Sequence, residues 1–197
     1  PHYLAAVHWH SRPADGTLHD GQVITTGAVE FEVMHLPGHS VGHCGFLFPR
    51  EGFVFTADIN LDSFGPWYGT IDSGIDEFLE TLERLRRLNL DMLVAGHGPA
   101  VITGSVSRRL EEYRDIIFAR EERIVGHLQA GRHTVEEIAA EKPVFRRFPY
   151  PQSVYLMHES VMVWHHLERL VALGKAEKSG DRYYLVRGVR AHNLSLG

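Results

Sequence analysis

Three short stretches of this chain place metal-ligand side chains beside glycine: Pro37-Gly38-His39-Ser40-Val41-Gly42-His43, Phe55-Thr56-Ala57-Asp58 and Val94-Ala95-Gly96-His97-Gly98-Pro99. Histidine is the commonest protein ligand for metals. A zinc-type centre needs imidazole nitrogen and carboxylate oxygen converging from rigid elements, with one position open to water. Glycine beside a ligand lets the backbone turn sharply enough to bring such groups together. One histidine next to a glycine says little; the ordered trio His39, Asp58, His97 is the signal. A further pair, Trp67-Tyr68, follows Pro66 a short loop beyond Asp58. Two aromatics there either line a substrate pocket or pack as a loop over the core.

The elements that must position these residues are legible from periodicity. Over residues 23–36, Val29, Phe31 and Val33 alternate with Glu30 and Glu32 as in a half-buried strand. Thr26-Gly27 marks a turn, with Gln22–Thr25 as the partner strand. Short apolar runs at Cys44–Phe48, Phe53–Ala57 and Met92–Ala95 read as buried strands. Ile75, Phe78, Leu79, Leu82 and Leu85 have helical spacing, with Ser73 as a candidate N-cap.

The second half is helical. Leu110, Tyr113, Ile117, Ile124 and Leu128 form one stripe between Val106 and Leu128, and Gly131 ends that helix. Thr134-Val-Glu-Glu predicts a capping box and a short helix. A longer helix over Ser153–Leu173 stops at Gly174. Strands at Ala176–Lys178 and Tyr183–Val186 turn at Ser179-Gly180-Asp181. Helix, helix, helix and hairpin is the order of a winged-helix module. The boundary falls near residue 104, with the long helix as a stalk.

Composition narrows the class. The 197 residues are 44% hydrophobic and 23% charged, which excludes a disordered, collagen-like or coiled-coil chain. No apolar run approaches the roughly 20 residues that span a bilayer, so no membrane partner is expected. The single cysteine, Cys44, excludes an internal disulfide and fits a reducing cytoplasm; within a predicted strand it reads as a structural thiol. Residues 1–104 hold 5 Lys and Arg against 13 Asp and Glu, whereas residues 105–197 hold 15 against 12. The asymmetry suggests two units, and the small basic excess permits RNA without demanding it. Arg108-Arg109 and Arg146-Arg147 can touch phosphates, although short basic pairs are usually solvated. Of the fourteen histidines, His158, His165 and His166 share the last helix; its apolar face belongs to the core, which makes them surface or interdomain residues. His8-Trp9-His10 reads as a linker or strand end. Residue 1 is proline rather than methionine, and the expectation is a processed chain or a portion of a longer one.

The trio and its order resemble the metallo-β-lactamase superfamily of metal-dependent hydrolases, in that family's C-terminal half. The resemblance implies an α/β fold: half of an αββα sandwich over residues 1–104, then a helical stalk and winged helix over 105–197. It implies His39 as a ligand of one metal, Asp58 as the bridging and catalytic carboxylate, and His97 as a ligand of a second. His43 matches a histidine of the thioesterase-like branch that is not a usual ligand. Most relatives carry glycine where this chain has Ala57. The family's His-x-His-x-Asp-His motif has no counterpart here, because Ser11-Arg12-Pro13 follows His10. The tail resembles the domain appended to the β-lactamase-like and hydroxyacylglutathione hydrolase-like branch. The implied cofactor is zinc, two ions, with iron or manganese as alternatives. The implied reaction is attack of a metal-held hydroxide on a small thioester or similar ester. Two other readings stand beside it: a metal-dependent ribonuclease, and a non-catalytic protein whose winged helix docks a partner or a second copy.

Overall fold

The computed structural model describes residues 13–98 and 100–189. Six strands form one sheet in sequential order: β1 (Val23–Thr26), β2 (Val29–His35), β3 (Cys44–Phe48), β4 (Phe53–Phe55), β5 (Met92–Val94) and β6 (Val101–Thr103). Neighbours are antiparallel except β4 and β5. That parallel pair needs a crossover, and helix α1 (Ile75–Arg87) lies within it. β2, β4 and β5 therefore point the same way, and their carboxyl ends share one edge of the sheet. The three metal-ligand stretches leave the sheet from that edge.

Register sorts the two faces. Met34, Leu47, Val54, Leu93 and Ile102 alternate onto one face, where they pack with Phe78, Leu82, Leu110 and Ile117 from the helices. Complete burial of a side chain the size of Phe78 stabilises by about 1.5–3 kcal/mol. The reverse face carries half-buried Phe31, Phe46, Phe48, Phe53 and Phe55, whose neighbouring ring centroids lie 4.5–6.3 Å apart.

The remainder comprises α2 (Val106–Gln129), α3 (Val135–Ala139), α4 (Gln152–Ala172) and the hairpin β7 (Ala176–Ser179)–β8 (Arg182–Leu185). A second core gathers Ile124, Leu128, Ile138, Val163, Leu167 and Tyr183. The first half of α2 belongs to the other core through Leu110, Tyr113 and Ile117. The helix is thus a wall shared by both cores and not the stalk expected from the order of elements.

Two predicted caps turn out differently. Thr134 forms the expected capping box, its Oγ1 accepting from Glu137 N–H at 3.2 Å. Ser73 caps nothing; Gly74 holds the N-cap position of α1, and Ser73 Oγ donates to His39 O at 2.7 Å. Among the described residues no helix is long and apolar enough to cross a membrane.

Candidate active site

Each ligand-bearing loop is fixed by its own backbone chemistry. Gly38 has φ +126°, and a Cβ there would lie 2.4 Å from Cα of Phe78. Only glycine lets this loop lie so close to α1. Thr81 Oγ1 donates to Pro37 O at 2.7 Å, and Gly74 N–H donates to Gly38 O at 3.0 Å, so α1 holds the His39 loop. Ala57 is left-handed, at φ 47°, which explains why glycine suits this position and why the turn still throws Asp58 off the end of β4. Gly96 N–H donates to Ala57 O at 2.8 Å and ties the Asp58 and His97 loops together.

Asp58 is the centre of the resulting cluster. Its Oδ1 lies 2.7 Å from His97 Nε2, while its Oδ2 lies 3.8 Å from His39 Nε2. Each carboxylate oxygen therefore faces a different imidazole. His43 is buried and braces the aspartate: its Nε2 accepts from Asp58 N–H at 3.4 Å, and its Nδ1 donates to Leu36 O at 3.0 Å. That pattern requires the neutral ring, and burial pushes the His43 pKa down. Burial also pushes His39 down, against the attraction of Asp58. Burial works to raise the Asp58 pKa, but the His97 hydrogen bond and the three imidazoles outweigh it and hold the carboxyl below its ordinary value.

His39, Asp58 and His97 line a cavity of about 380 Å³ together with Asn60, Asp62 and Trp67, and His43 stands behind them. Trp67 lies over His39 with ring centroids 4.9 Å apart. Tyr68 does not reach the cavity; it is fully buried, its hydroxyl 2.9 Å from His166 Nε2 and 3.1 Å from Arg120. Of the two aromatics, one lines the cavity and the other packs inside.

The donors fit part of a two-metal shell. The 3.8 Å between His39 Nε2 and Asp58 Oδ2 exceeds a hydrogen bond, yet falls within the span of two donors each about 2.0–2.2 Å from one zinc ion. His39 Nδ1 is buried and has no hydrogen-bond partner among the described residues. Among the described residues no three His, Cys, Asp or Glu side chains gather around one point, so a complete shell needs further donors. His8 and His10 lie outside the described residues.

Sequence reading missed the other polar groups that line the cavity. Tyr113 on α2 donates to Asn60 Oδ1 at 3.3 Å, and the Asn60 amide lies 2.9 Å from Asp62 Oδ2 and 3.4 Å from His97 Nδ1. It also missed how the Trp67 loop is held. Arg120 donates to Phe64 O and Pro66 O. From α4, His158 reaches Gly69 O at 2.9 Å and His165 reaches Thr70 O at 2.8 Å, while His166 meets Tyr68. Positions 158, 165 and 166 fall on one helix face, the signal from which this clasp could have been read. Surface and interdomain roles were both open for these histidines; all three join α4 to the loop.

A family model described as the metallo-beta-lactamase superfamily matches residues 2–97. Hydroxyacylglutathione hydrolase from Jannaschia sp. (strain CCS1) is 37% identical over 133 residues, covering 66% of this chain and 50% of that protein. The same-named protein from Cereibacter sphaeroides (strain ATCC 17029 / ATH 2.4.9) is 32% identical over 125 residues, covering 62% and 48%. The chain thus spans about half the length of the curated relatives it matches. A crystal structure of a metallo-beta-lactamase family protein from Thermus thermophilus matches with a TM-score of 0.72 at 26% identity, covering 86% of this chain and 54% of that one. The sheet, the order of its three loops and these likenesses agree on a metallo-β-lactamase superfamily domain over the strand-rich part of the chain.

Proposed function

We propose that this chain forms part of a metal-dependent hydrolase acting on small thioesters. The observation that carries the reading is Asp58, with each oxygen turned toward a different imidazole at the mouth of one cavity. His39, Asp58 and His97 would hold two divalent ions, zinc first, with Asp58 shared between them. Bound there, the metals would supply Lewis-acid polarisation of the scissile carbonyl and lower the pKa of the attacking water. The protein's own groups do the positioning. His43 fixes the Asp58 backbone, Asn60 and Tyr113 line the cavity beside His97, and Trp67 presents an apolar wall beside His39 for an acyl or thiol group. Thioesters are favoured because relatives named hydroxyacylglutathione hydrolase match this chain, and a protein named atrochrysone carboxyl ACP thioesterase from Aspergillus fumigatus is 26% identical over 157 residues.

In the same reading the region after residue 104 comprises α2, whose first half packs into the sheet's core, and a winged-helix unit built on its second half, α3, α4 and the hairpin, and the protein works in the cytoplasm. The order of α2, α3, α4 and hairpin, with a core of its own, supports that unit. The test is metal analysis and hydrolysis of acyl-glutathione and acyl-coenzyme A esters by the natural protein that carries these residues. Stoichiometric divalent metal with thioester turnover is expected; folded, metal-loaded protein that leaves both esters intact would overturn the reading.

A further inference from the structure

A second cavity, of about 520 Å³, opens between α2 and the turn that precedes α4. Arg120, Arg123, Arg146 and Arg147 line it, and among the described residues no acidic one does. Among the described residues none of these four arginines makes an ion pair, although most other arginines do. Arg120 is committed to the carbonyls of the Trp67 loop. Arg123 uses Nε on Pro143 O at 2.6 Å, which leaves its terminal N–H groups to spare. Arg146 and Arg147 stand exposed at the rim. The nearby carboxylate, Glu159, is buried on α4 and has both oxygens on the N–H groups of Val144 and Phe145, each at 2.8 Å. It shapes the turn and does not line the cavity. A larger cavity between α1 and α2 offers the contrast: its Arg114 pairs with Asp115 at 2.7 Å, and Glu83 and Glu122 line it too.

Unbalanced guanidinium groups around a recess form a site for an anion. Burial, then the like charges of Arg146 and Arg120, hold the Arg123 pKa below its ordinary value, a repulsion that a bound anion relieves. The cavity also adjoins the chemistry. Phe64 lines both this cavity and the one that contains Asp58, and its ring stands 4.9 Å from that of Phe145. A ligand bent over Phe64 reaches both.

We propose that the arginine cavity binds the phosphate groups of a phosphate-bearing carrier thiol, of the coenzyme A type, whose acyl thioester lies at Asp58. This rests on the thioesterase reading and specifies its substrate class. Phosphate is favoured over a carboxylate because it carries up to two charges and several acceptor oxygens, which engage more than one guanidinium fork. An RNA strand is disfavoured: the basic groups surround a recess instead of forming a stripe, and the adjoining cavity carries Asp58 and Asp62.

Calorimetric titration of this chain with coenzyme A, pantetheine, glutathione and a single-stranded RNA tests the proposal without requiring turnover. Coenzyme A is expected to bind at least about ten-fold more tightly than pantetheine, which has the same thiol arm and no phosphate. The double variant R146A/R147A, at exposed positions, should lose that advantage while keeping its circular dichroism. The proposal is overturned if coenzyme A fails to bind, if pantetheine matches it, if the variant binds it unchanged, or if glutathione or RNA is the ligand whose affinity depends on these arginines. Arginine-dependent coenzyme A binding by a protein that hydrolyses no thioester would uphold the cavity and sink the activity. Thioester turnover indifferent to phosphate would do the reverse.

Discussion

Asp58 is partly exposed, braced by His43 through its own amide, and preceded by a residue in a conformation that L-amino acids avoid. The left-handed Ala57 crowds its Cβ against the backbone at a cost of about 1–2 kcal/mol. Glycine removes that cost but loses about 0.4–1 kcal/mol through the entropy of the unfolded chain. Ala57→Gly should therefore raise stability by about 1 kcal/mol or less, whereas Ala57→Val should lower it, both read from urea midpoints. Tyr68 poses a sharper choice. A substrate contact would leave stability unchanged on removal of the hydroxyl; the buried bonds to His166 and Arg120 predict that Tyr68→Phe costs about 1–3 kcal/mol. The trio His39, Asp58 and His97 was legible because ligand residues next to glycine recur at strand ends. Tyr68 was not, because Trp67-Tyr68 reads alike whichever ring faces inward.

Among the elements, α4 does the least obvious work. Its three histidines hold consecutive residues of the loop that carries Trp67, and His166 sits in a chain of bonds that ends in charge. Tyr68 O–H donates to His166 Nε2, His166 Nδ1 faces Glu121 Oε2 at 3.4 Å, and Arg169 donates to both oxygens of Glu121 and to Asp76 at the start of α1. Burial depresses the His166 pKa despite the opposing pull of Glu121. In the unfolded chain the group titrates near 6.5. Below that pH the unfolded state binds a proton that the folded state refuses, so the stability present above 6.5 is lost as pH falls. Wild type should thus lose stability relative to His166→Gln between about pH 7.5 and 5.5; a difference that stays constant would contradict the network. Apolar spacing placed β2, β3, α1 and α2 almost to the residue. It missed β6, three residues whose alternation is too short to read, and it could not show that α4 turns its histidines onto a loop nearly a hundred positions away.

For the whole molecule, two cores share one helix. Val106, Leu110, Tyr113 and Ile117 fill the core beneath the sheet, although a boundary drawn by charge at residue 104 assigns them elsewhere. A chain ending at 104 should consequently fail to give a cooperative unfolding transition, and one extended through Gln129 should recover part of it. The sheet's other face remains lined by half-buried phenylalanines, as one layer of a sandwich would be. The family and most strands were readable in the sequence, since ligand order and strand alternation are local signals. The fit of α2 and α4 against the site depends on long-range packing and was not. The central claim concerns Asp58 as the carboxylate shared by two metals in a thioester hydrolase. Its most direct test is thioester turnover by the metal-loaded natural protein and its Asp58→Asn variant, with metal content measured on both. The account predicts that the variant loses metal and at least about a hundred-fold in rate; a variant that keeps both would contradict it.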